Sequence, residues 1–90
     1  MVTWYLPKIR PENHETFRRI ISAYPADTYD KWIYLQVNEI AEIVGAGDQR
    51  VVLVEVRTDE FTRHCDLVGC KRDFDALRDF ANTKGKRDAY

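Results

Sequence analysis

The chain has 90 residues, 44% of them apolar and 12% aromatic, with only four Gly and three Pro, a composition that excludes disordered, collagen-like and low-complexity polymers. Fourteen Lys and Arg against fifteen Asp and Glu leave a formal charge of −1, which speaks against a protein that lives on phosphate backbones through a net positive field. At this length roughly 60–65% of the unfolded surface can be buried, enough for one core and too little for two domains or a large substrate cavity.

Val2 to Leu6 is a β-branched and aromatic run stopped by Pro7, so a short edge strand is expected there. Pro11 with Glu12 and Glu15 reads as a first helical turn, because proline at the first helical position loses no needed hydrogen bond and carboxylates complement the helix dipole. Phe17, Ile20, Ile21 and Tyr24 continue it at i, i+3, i+4, i+7, until Pro25 stops it. Residues 28–44 predict a second helix, since Tyr29, Trp32, Ile33, Val37, Ile40, Ile43 and Val44 gather within an arc of roughly 140°. Asp27 or Thr28 supplies its N-cap, and Gly45 stands where a left-handed glycine would end it.

Arg50 to Val56 is the strongest strand, apolar on both faces and therefore expected at the centre of whatever sheet exists. Thr58 then caps a helix with Phe61, Cys65 and Val68 on its apolar face and Gly69 as terminator. A last helix starts after Asp73, buries Phe74, Leu77, Phe80 and Ala81, and ends at Gly85. The expected fold is a mostly helical α+β domain in the order β-α-α-β-α-α, compact over residues 1–85, with a frayed basic tail at 86–90. A two-stranded sheet is marginal alone, so it must be covered by helices or completed by a second copy in a homodimer.

No apolar run approaches the roughly 18 residues of a membrane span, and Met1 to Pro7 lacks the basic and long apolar regions of an export signal. A cytoplasmic protein with reduced thiols is the expectation. Cys65, Cys70, His14 and His64 are of zinc-ligand type, but a structural site needs a second ligand pair that the spacing does not supply, so no metal or other cofactor is expected. Cys70, beside Lys71 and Arg72, is a more accessible thiol than Cys65, which falls on an apolar face with Phe61 and away from His64. Gly45-Ala46-Gly47 lacks every other element of a phosphate loop, and no hydrolase or metalloprotease motif occurs. No catalytic residue is therefore assigned.

A helix-turn-helix about Gly69 would present Asp73, Asp75 and Asp79 to a phosphate backbone, which opposes DNA binding. Lys84, Lys86 and Arg87 remain as the basic group of an alternative nucleic-acid-binding regulator. The surplus of aromatics is the stronger signal. Phe17, Trp32, Phe61, Phe74 and Phe80 fit core faces, whereas Trp4, Tyr5, Tyr24, Tyr29, Tyr34 and Tyr90 cannot all be buried in so small a domain. Trp4, Tyr5, Tyr34 and Leu35 are the candidate anchors of a small binding or regulatory accessory protein that acts by occupying a protein partner. Charge is balanced locally as well, five basic to six acidic over residues 1–45 and nine to nine over 46–90, which favours protein partners over polyanions.

Overall fold

The computed structural model describes residues 1–88 and has the expected order: β1 (Val2–Lys8), α1 (Pro11–Ile20), α2 (Tyr29–Gly45), β2 (Gln49–Glu55), α3 (Thr58–Val68) and α4 (Phe74–Asp88). The strands pair in parallel, Val2 opposite Gln49 through Lys8 opposite Glu55. This is a two-stranded sheet, so β2 is an edge strand and not the centre of a larger sheet.

Several element ends depart from the sequence expectation, each for a local reason. The first strand runs through Pro7 to Lys8. The N–H of Val2 donates to the Asp48 carbonyl and the Lys8 carbonyl accepts from Val56, so the even residues of β1 face β2. Pro7 consequently lacks its N–H only on the outer edge, where the ladder does not need it. The first helix ends at Ile20, not at Pro25. Ile21 already has extended backbone, the Ser22 N–H donates to the Arg72 carbonyl, and the left-handed Ala23 then turns the chain away before Tyr24. Gly45 is still helical; the left-handed residues that turn the chain into β2 are Gly47 and Asp48.

Thr28 caps α2 by accepting from the Lys31 N–H at 3.1 Å. In α3 the N-cap is Arg57, not Thr58, and the Glu60 carboxylate reaches back to accept from the Arg57 N–H. Gly69 closes α3 in the left-handed conformation, as its position predicts. Asp73 caps α4, its carboxylate accepting from Ala76 at 2.8 Å. This helix does not stop at Gly85 but continues to Asp88, so Lys86 and Arg87 lie in its last turn. Residues 89 and 90 of the expected tail lie outside the described residues.

The core brings together Ile9, Phe17, Val54, Val56, Phe61, Leu77 and Phe80 from five segments. Tyr5, Val52 and Val54 alternate onto one face of the sheet, where Tyr5 meets Gly85 of α4. The opposite face carries Leu6, which is only 2% exposed. A leucine on an open sheet face could not be that deeply buried. Besides α4, the helix packed against the sheet is α2, and it therefore roofs the Leu6 face. No helix is long and apolar enough to cross a membrane among the described residues.

Candidate site along the outer edge of the first strand

Because the even residues of β1 bond to β2, the N–H and C=O groups of Thr3 and Tyr5 point outward, and no hydrogen-bond partner takes them among the described residues. The next outward carbonyl, that of Pro7, accepts from Gln36 Nε2 of α2 at 2.6 Å. Thus α2 comes up beside the strand edge, and α4 flanks it on the other side. A groove results, with two hollows that share Arg78.

The first hollow, about 230 Å³, is lined by Pro7, Pro25, Trp32, Leu35 and Phe74, with Gln36, Glu39 and Arg78 at its rim. The second, about 220 Å³, runs past Thr3 to Leu6 and is bounded by Arg78, Asp79 and Asn82 of α4. Between them Arg78 Nη1 donates to both oxygens of Glu39 at 2.9 and 3.2 Å. Its guanidinium lies 5.9 Å from the Phe74 ring centre, a cation–π distance. The bridge clamps α4 to α2 across the strand edge.

The aromatic wall of the first hollow is built in layers. Trp32 stacks on Tyr24 at 5.7 Å and 19°, and both rings meet Phe74 edge-on. Burial pushes the Tyr24 phenol above its ordinary range. Tyr24 Oη lies 3.1 Å from Nδ1 of His14, a buried side chain whose other ring nitrogen has no partner among the described residues. The indole N–H of Trp32 is likewise buried with no acceptor among the described residues.

Among the residues singled out from the sequence, Trp4, Tyr5 and Leu35 line this groove, while Tyr34 lies 64% exposed on another flank of α2. Trp4 donates from its indole to the Gln49 side chain across the sheet. Lys84 does not stand with the basic tail: its ammonium donates to the Glu60 carboxylate and the Glu55 carbonyl, both at 2.8 Å. Arg87 lies 3.6 Å from Asp88, leaving Lys86 as the member of that trio with no ion pair among the described residues. Cys65 is buried and Cys70 half-buried, both as free thiols. His14 and His64 belong to different helices.

Pro7, Pro25, Gln36 and Arg78 of the groove have no separate signature in the sequence. The prolines read as element stops and Arg78 as one charge of a solvated face, because its partner Glu39 lies on another helix. Trp32 and Phe74 were legible as core aromatics, and only the gap left between α2 and α4 turns their edges into a wall. Compared with protein-family models, curated proteins and solved structures, the chain finds no match in any of the three.

Proposed function

We propose that this domain is a protein-binding module that takes an extended, apolar segment of a partner protein along the outer edge of β1 and acts by occupying that partner, with no catalysis of its own. The observation that carries this reading is the juxtaposition of free strand-edge amides at Thr3 and Tyr5 with the apolar hollow of Pro7, Trp32, Leu35 and Phe74. Strand addition obtains its affinity from main-chain hydrogen bonds and its specificity from pockets that take alternate side chains. A hollow near 230 Å³ suits one apolar side chain and falls below the roughly 300–1,000 Å³ of sites that enclose a whole small molecule.

The test is panning of a random displayed peptide library against the folded domain, followed by affinity measurement on the enriched peptide. An extended sequence with one apolar anchor is expected, and the Thr3 and Tyr5 amides should gain exchange protection when it binds. Thr3→Pro removes an N–H that the fold does not use and should weaken binding at least roughly tenfold, about 1.4 kcal/mol. Tyr34→Ala, outside the groove, should leave it unchanged. No enrichment, or binding indifferent to Thr3→Pro and to Leu35→Asp, would overturn the proposal.

A further inference from the structure

We infer that the domain pairs with a second copy of itself through the outer edge of β2 and the outward flank of α2, surfaces distinct from the groove along β1. The fold uses only half of the apolar arc on α2. Its Trp32 side is buried, while Ile33, Val37 and Val44 are left exposed, the last two at 58% and 53%. With the half-buried Ile40 they recur at steps of four, three and four residues, the spacing of a seam between two helices packed side by side. Residues 33, 34, 37, 40, 41 and 44, which fill this flank, include no charge.

The flank adjoins a strand edge without protection. In β2 the N–H and C=O groups of Val51 and Leu53 point away from β1, because the ladder to β1 uses Asp48 and Val56 and the residues between in the same alternation. Among the described residues they have no partner, whereas the next outward carbonyl, that of Glu55, accepts from Lys84. Free edges are ordinarily blunted by proline, lysine or a bulge. On β1 the outer edge is closed only beyond Tyr5, where Pro7 has no N–H and its carbonyl accepts from Gln36; on β2 the outward row Gln49, Val51 and Leu53 includes no proline or lysine. The Val51 and Leu53 side chains lie on the sheet face opposite Val52 and Val54, which is the face that α2 roofs, and Leu53 is 42% exposed.

A two-fold axis midway between the two copies of Val52 satisfies both features together. It sets Val51 opposite Leu53 of the other copy, and each of these residues then exchanges its outward N–H and C=O in an antiparallel pair. The sheet becomes four-stranded in the order β1-β2-β2-β1, and the two α2 helices lie side by side over the seam. Isologous contact requires a patch that does not repel its own image, which an uncharged flank meets. Ile33, Tyr34, Val37, Val44 and Leu53 together leave open roughly 500 Å² per copy, the core of an interface that ordinarily covers about 800 Å² per partner. Both β1 edges stay on the outside of such a dimer.

Sedimentation equilibrium of the full chain at about 0.5 mM, far above the micromolar Kd of a modest specific dimer, should give twice the chain mass of 10.6 kDa, or 21.2 kDa. Val37→Glu and Leu53→Lys, both at exposed positions, should each return it to 10.6 kDa with unchanged circular dichroism. Leu67→Glu, on an exposed apolar site of α3, should leave the dimer intact. A wild-type monomer at that concentration would overturn the inference. So would a dimer that both Val37→Glu and Leu53→Lys leave whole, or one that Leu67→Glu alone splits.

Discussion

Gly85 occupies the interior of α4, where glycine is ordinarily about 1 kcal/mol less favourable than alanine, yet it is buried. The reason lies in Tyr5: a Cβ at position 85 would stand 2.6 Å from Tyr5 Cγ and 2.9 Å from Tyr5 Cβ, too close for any pair of carbons. Tyr5 Cβ is anchored to the paired strand, so the ring cannot swing clear as the end of a long side chain could. Glycine at 85 is thus what lets α4 settle onto β1, and the Tyr5 side chain serves the fold as well as lining the groove. Gly85→Ala should therefore destabilise the domain by about 1–3 kcal/mol, the usual cost of overpacking, although helix propensity alone favours the change. Urea denaturation reads this directly, and the combination with Tyr5→Ala should recover most of the loss attributed to the clash. A stabilised Gly85→Ala protein would show that the helix does not approach the strand this closely. From the sequence, Gly85 reads as a helix terminator because glycine so often ends helices; close approach is the other reason for glycine, and it is set by a residue at the far end of the chain.

At the scale of elements, Lys84 joins three of them. From α4 it donates to the Glu60 carboxylate of α3 and to the Glu55 carbonyl at the end of β2, and it is only 19% exposed. Glu60 in turn caps α3 through the Arg57 N–H. Lys84→Met keeps the aliphatic stem but leaves the Glu55 carbonyl without its side-chain donor and the Glu60 carboxylate with only the Arg57 N–H, and should cost about 1–3 kcal/mol in urea denaturation. Lys86→Met, exposed in the last helical turn, should fall within about 0.5 kcal/mol of wild type. Equal effects of the two substitutions would deny Lys84 this bridging role. The elements themselves were largely legible where a cap or terminator works through its immediate neighbours, as with Thr28, Pro11, Gly69 and Asp73. They were misread where a distant backbone decided the end. Pro7 is tolerated because its missing N–H faces away from β2, and α1 stops early because Ser22 bonds to the Arg72 carbonyl. The groove was partly legible, through Trp4, Tyr5 and Leu35, as aromatic and aliphatic surplus. Its shape was not, since the Arg78–Glu39 clamp and the Gln36–Pro7 bond join segments that no periodicity relates.

Across the whole molecule two ionisable groups are held neutral by burial, the Cys65 thiol inside the core and the half-buried Tyr24 phenol packed against it. Burial first, and the neighbouring Cys70 thiol second, push the Cys65 thiol from 9.0 up to about 12. Burial also raises the Tyr24 phenol above its ordinary 10.0, where it packs against Trp32, Phe74 and His14. In the unfolded chain both groups ionise at their ordinary values, so between pH 9 and 12 the unfolded state holds fewer of these protons than the folded state. Stability then falls as pH rises. Their contribution is fully present below about pH 9 and is lost progressively as pH climbs toward the folded-state value of Cys65. Urea midpoints measured from neutral pH upward should hold steady and then drop over this alkaline window. The double variant Cys65→Ala Tyr24→Phe should start from a lower midpoint, because it gives up packing and the Tyr24 Oη contact to His14, but should decline less steeply with pH. A decline of the same slope in both proteins would mean that other groups govern the alkaline limb and that neither side chain is held neutral by the core.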